Sequence, residues 1–111
     1  MKNLIKQYNE EILKKQMFVG GEVFFTTYKE FEKGKVYVDE IFINRENRTQ
    51  KEVDKVLQMI ENLFKEKGMK VLSISLLFNN PFFAVYLNSL LNKEFKQSFA
   101  NGEGLILTKE L

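Results

Sequence analysis

Arg45, Arg48, Lys51 and Lys55 crowd the start of a strongly periodic helical segment. A helix start presents free backbone N–H groups, so added positive charge there is the chemistry of a phosphate site. Glu46, Glu52 and Asp54 are interspersed, and the same run also reads as an ordinary solvated face. On the strand before it, Glu40 alternates with Val38 and Phe42, which predicts that it shares their apolar face. A carboxylate so placed would have its pKa raised, as a general base needs. The competing reading is a solvent-facing acid paired with a lysine, with Asp39 on the opposite face. Ser73 and Ser75 have no base beside them and read as polar residues on a strand face. The 111 residues contain no His and no Cys, so thiol nucleophiles, Cys/His zinc sites, disulfides and histidine bases are excluded from this chain. Acid–base work falls to Asp, Glu, Tyr or Lys.

Composition bounds the setting of these residues. The chain is 44% hydrophobic and 29% charged, which predicts a single domain over residues 1–111. Eleven Phe and no Trp predict a bulky aromatic core. Seventeen basic against fifteen acidic residues give a net charge of +2, too weak and too dispersed to predict a nucleic-acid partner. The most apolar stretch, 76–91, is broken by Asn79, Asn80, Pro81, Asn88 and Ser89, so no membrane span is expected. No basic-led apolar segment opens the chain, so no signal peptide is read, and the lack of Cys fits a cytoplasmic setting.

The elements that must position the candidates follow from periodicity. Met1, Leu4, Ile5, Tyr8 and Ile12 predict an amphipathic helix over 2–16, ended by Gly20-Gly21. Aromatic and β-branched residues predict strands at 22–31 and 35–43, joined by a hairpin turn at Gly34. Val53, Val56, Leu57, Ile60, Leu63 and Phe64 form one helical stripe. Thr49-Gln50-Lys51-Glu52 matches a capping box at its start, and Gly68 marks its end. A strand is predicted at 70–78, a short helix from Pro81 to about Leu91, and a closing hairpin that turns at Asn101-Gly102. The order α-β-β-α-β-α-β-β predicts an α/β (α+β) fold: a mixed, mostly antiparallel sheet with a right-handed parallel strand–helix–strand crossover at 36–78.

Residues 36–91 carry a resemblance. The strand "VYVDEIFI" leads through "NRENR" into the amphipathic helix, with Arg48 where one family places an Arg or Gln. A Gly-ended helix leads to "MKVLSISLLF", then "NNPFFAVY" with Asn79 seven residues before Tyr86, then a closing "LILTKEL". This order resembles the GNAT superfamily of N-acetyltransferases over about the last three-quarters of the chain, with the family's first strand and part of its early helical region missing or reduced. The resemblance implies acetyl-CoA as cofactor. It implies a pyrophosphate held by the backbone around Ile43, Arg45, Arg48, Thr49, Gln50, Lys51 and Val53, with Asn79 further along the cofactor. It also implies Glu40 as base and Tyr86 as the acid that reprotonates the departing thiolate; an aromatic on an apolar helix is the plain alternative for Tyr86.

One motif departs from the family. Its loop carries Gly at the position of Lys51 and Gly or Ala at that of Val53, where small residues let the backbone approach phosphates. A Thr49–Glu52 capping box would satisfy the same N–H groups and set a carboxylate where the pyrophosphate belongs. This degenerate loop predicts a binding or regulatory protein with weakened or lost acetyl transfer. Its protein partner, or a second copy, would meet the helix at 82–91, which is apolar on nearly all sides. The alternative is a working acetyl-CoA-dependent N-acetyltransferase acting on a protein or small-molecule amine. The two differ in one feature: an enzyme needs an open V between the strands at 36–43 and 70–78, whereas a binder would fill it with Phe42, Phe78 or Phe82.

Overall fold

In the computed structural model, residues 2–111 are described. Helix α1 (Lys2–Glu11) is followed by strands β1 (Gln16–Gly20), β2 (Phe24–Glu32) and β3 (Lys35–Ile43). Then come a 3₁₀ turn (Arg45–Asn47), α2 (Gln50–Glu66), β4 (Val71–Leu77), α3 (Phe83–Asn92), β5 (Lys96–Ala100) and β6 (Gly104–Glu110). The six strands form one sheet in the order β1-β2-β3-β4-β6-β5. All neighbours pair antiparallel except β3 and β4, which are parallel across the α2 crossover.

The core lies on one face of the sheet. The α2 stripe of Val53, Val56, Leu57, Ile60 and Phe64 is buried with Val36, Val38, Leu72, Ile74 and Leu107, and the Phe64 ring meets Tyr28 edge-on at 4.9 Å. The ends of α2 are where the sequence places them. Thr49 Oγ1 accepts from the Glu52 N–H at 3.3 Å, and Gly68 takes φ +80°, a left-handed conformation that a side chain would strain. At the far end of α2, Glu61 is buried between two lysines, Lys109 at 2.9 Å and Lys65 at 3.1 Å.

The N-terminal region departs from expectation. The helix stops at Glu11, and Gln16–Gly20 is a strand, paired from Gln16↔Tyr28 to Gly20↔Phe24. Met17, Phe18 and Val19 have the bulk and branching of a strand, and the two glycines close a hairpin instead of ending a helix, Gly20 as its last rung and Gly21 in the turn at φ +60°. Gly20 is required there, because a Cβ would lie 2.1 Å from the Phe24 ring. The predicted stripe is also largely turned outward: Leu4, Tyr8 and Ile12 are exposed and only Ile5 is half-buried, while Asn9 is buried and donates to the Ile5 carbonyl. Met1 lies outside the described residues. Pro81 precedes α3 in a turn and does not begin the helix.

Candidate functional site

The parallel ladder between β3 and β4 runs from Lys35↔Val71 only to Val38↔Ile74. Beyond that rung β3 continues five residues and β4 three, with no ladder between them. The cause is local. Opposite Thr27 and Tyr28 of β2, β3 carries one extra residue, Asp39, a β-bulge that bends the strand. Asp39 is anchored there by the Thr27 hydroxyl, which donates at 2.7 Å, and by an ion pair with Lys15. That pair holds the Lys15 ammonium above its ordinary pKa, the Asp39 hydrogen bond outweighing burial.

The bulge corrects the expectation for Glu40. Val36 and Val38 face the core, but after the extra residue the inward positions are Ile41 and Ile43, and Glu40 is exposed together with Phe42. Strict alternation read from sequence cannot see one inserted residue. Glu40 therefore does not share the apolar face of Val38. It lines the gap.

The gap holds a cavity of about 350 Å³, bounded by Glu40, Ile41, Ser75, Leu76, Asn79 and Tyr86 among others. A second hollow of about 210 Å³ shares Ile41, Phe42, Pro81 and Tyr86 with it and reaches Arg48 and Phe82. The aromatic side chains leave the gap open. Phe42 and Phe78 are about half exposed, at 52% and 48%. Phe82 packs under the Arg48 guanidinium, 4.8 Å from its ring centroid. Tyr86 is 6% exposed, yet among the described residues no hydrogen bond engages its hydroxyl. Burial pushes that phenol above its ordinary pKa, against the opposing charge of Arg48, so it stays protonated at neutral pH.

The charged cluster is only partly assembled. Arg48 donates from Nε to the Ile43 carbonyl at 2.8 Å and lies over both Phe42 and Phe82. Arg45 and Lys51 are exposed on the loop and first turn. Gln50 reaches across to the Val85 carbonyl at 3.1 Å and so ties the start of α2 to α3. The Glu52 carboxylate approaches Lys55 at 4.0 Å, and among the described residues the backbone N–H groups of Gln50 and Lys51 find no partner. Val53 is 1% exposed, so its branched side chain points into the core, away from the helix start. Asn79 is exposed at the cavity rim. Its neighbour Asn80, which sequence reasoning passed over, accepts from the Phe82 N–H at 2.8 Å and sets the entry to α3. An Asn two residues before the first turn was the available signal.

The α3 helix is not buried all round. Tyr86, Ser89 and Leu90 face inward, and Leu91 is half exposed. Ser73 exchanges a hydrogen bond with Thr108 at 2.9 Å on the sheet face that carries no core, as a structural polar residue would. No helix among the described residues is long and apolar enough to cross a membrane.

No family model matches the sequence, and no curated protein matches it. Solved structures do match by fold. The PaiA N-acetyltransferase of Thermoplasma acidophilum, solved with coenzyme A, superposes with TM-score 0.63 at 19% identity over 80% of this chain and 54% of that one. The IAA acetyltransferase of Bacillus cereus matches with TM-score 0.67 at 14% identity over 100% of this chain and 85% of that one. YncA of Salmonella typhimurium, solved with acetyl-CoA, matches with TM-score 0.67 at 11% identity over 99% of this chain and 72% of that one. Against the first structures found, the chain spans just over half of their length. The fold is therefore that of the GNAT N-acetyltransferases.

Proposed function

We propose that the chain is an acetyl-CoA-dependent N-acetyltransferase. The observation that carries this reading is the open, splayed gap between β3 and β4, lined by buried Tyr86, whose hydroxyl has no hydrogen-bond partner among the described residues. Two strand edges without ladder partners offer N–H and C=O groups to an extended, amide-bearing ligand, which is the chemistry of a pantetheine arm. The free N–H groups of Gln50 and Lys51, with Lys51 and Arg45 beside them, suit a pyrophosphate. The residues present thus fit the cofactor, and Val53 does not obstruct it because its side chain is turned inward.

Acetyl-CoA supplies, when bound, a thioester whose acetyl group passes to an amine with release of the thiol. Tyr86 gives the departing sulfur its proton, and Glu40 at the gap takes the proton from the attacking amine. Arg48, held by the Ile43 carbonyl and two rings, keeps the loop shaped around the gap.

A second reading is favoured by the departure at Lys51 and Val53: a GNAT-fold binding or regulatory protein with weakened transfer, meeting a protein partner or a second copy through α3, where Leu91 is exposed. Calorimetric titration with acetyl-CoA, with a thermal-shift control, separates the two. The expected result is micromolar binding; cofactor at 100 times its dissociation constant then stabilises the fold by about 2.7 kcal/mol. No binding at millimolar cofactor would overturn the proposal in favour of the second reading.

A further inference from the structure

A larger hollow, about 550 Å³, lies between α1, the β1–β2 hairpin and the loop before α2. Its wall is apolar, built from Ile5, Met17, Val19, Val23 and Phe24. Its rim is held in shape by Asn44, whose backbone N–H donates to the Val23 carbonyl at 2.6 Å and whose side chain donates to the Glu22 carbonyl at 3.0 Å. These two bonds tie the hairpin turn to the loop that opens α2.

This hollow and the β3–β4 gap share a wall. Phe25 and Phe42 line both, and their rings stack at 5.5 Å. Arg48 continues the stack over Phe42 at 5.3 Å and over Phe82 at 4.8 Å, and it too borders the hollow. Acetyl transfer needs an amine nitrogen within bonding approach of the thioester carbon, about 3–3.5 Å. A ligand in the hollow and one in the gap would approach each other at Phe42, next to the exposed Glu40.

We infer that the hollow is the acceptor site and takes a small primary amine carried on an apolar body, with Phe42 setting which bodies fit. This rests on the transferase reading above. The wall decides the class. Burying a ring or branched alkyl group against it removes apolar surface from water on both sides, whereas a polyamine would have to leave its charges unsolvated against the same side chains. Four charged residues also line it, Glu22 and Glu46 against Arg45 and Arg48, so the two signs balance and no excess of carboxylates is there to hold a polyamine.

The test reads binding without the cofactor, so it is separable from failure of the transferase reading. The methyl groups of the full-length chain are followed by ¹³C NMR while 2-phenylethylamine, and separately spermidine, is added. Phenylethylamine is expected to shift the methyls of Ile5, Met17, Val19 and Val23 and to leave those of Ile60 and Leu107 in the core unmoved. Spermidine is expected to bind at least about tenfold more weakly. A Val19→Trp variant, which fills the hollow, is expected to lose the amine response while keeping acetyl-CoA affinity within about twofold. Absence of methyl shifts at millimolar phenylethylamine, equal binding of spermidine, or an undiminished response in Val19→Trp would each overturn the assignment. Amine binding without acetyl-CoA binding would leave the hollow standing as an amine site and remove the transferase reading, and with it the acceptor role.

Discussion

Val38 and Ile74 face each other as the last rung between β3 and β4, and every candidate group for chemistry lies past that rung. The site begins where the sheet stops pairing. Its floor is the closed ladder, and its contents are what the two strand ends and α3 bring to the opening.

Tyr86 makes the sharpest test of transfer chemistry. Tyr86→Phe is expected to lower acetyl transfer by about 100-fold or more while leaving acetyl-CoA affinity unchanged, since only a proton donor is removed. Burial raises this phenol above its ordinary pKa, so it stays protonated as pH rises, and no loss of rate from its ionisation is expected below about pH 10. Steady-state rates across pH, with calorimetry for affinity, check both statements.

Lys51 stands where the fold's loop is usually bare of side chain. If it serves phosphate recognition, Lys51→Glu weakens acetyl-CoA binding by roughly tenfold at low salt, and the deficit shrinks as salt screens an exposed charge. Titrations at two ionic strengths show it directly.

Val53 leads to the opposite expectation from a motif comparison. Replacing it with Gly to mimic the familiar loop removes a side chain that is 1% exposed. The cost is about 3 kcal/mol, from the cavity left and the glycine placed in a helix. Acetyl-CoA affinity is not expected to improve. Denaturant unfolding and calorimetry on Val53→Gly test the two parts separately.

Glu61 couples the core to acid. Burial alone would raise its pKa, but hydrogen bonds from Lys109 and Lys65 outweigh that and hold it below the ordinary carboxylate value. A depressed folded-state pKa contributes stability that is present above the unfolded value and is lost as pH falls through the folded one. Stability should therefore fall as pH drops below about 4.3, and Glu61→Gln should cost roughly 1.5–3 kcal/mol at neutral pH and flatten that dependence. Urea midpoints from pH 3 to 7 provide the measurement.

Much of this arrangement could be read from residues alone, and the reasons differ by element. The α2 stripe, its Thr49 cap and its Gly68 end are local signals of helix geometry, and they appear as spaced. The β3–β4 crossover follows because two apolar strands flank one amphipathic helix. The N-terminal helix is shorter than its periodicity predicts, because Met17-Phe18-Val19 continue an apolar rhythm that tertiary pairing with β2 turns into a strand. Glu40 leaves the face that alternation predicts for it, because a bulge leaves no mark in side-chain alternation. The hollow beside α1 was invisible, since its wall is assembled from segments distant in sequence, from Ile5 to Phe42.

Asp39 is the one residue of β3 that the pleat does not need. Skip it, and Val36, Val38, Ile41 and Ile43 alternate inward with Glu40 and Phe42 outward, the pattern of an uninterrupted strand. A three-nucleotide deletion at that codon would therefore leave the core composition intact while freeing β3 to zip onward against β4. The folded state would survive such a lesion better than the opening would. In mutational terms the gap behaves as an insertion carried by an otherwise ordinary sheet: a single in-frame loss could erase the site and leave a sound protein behind.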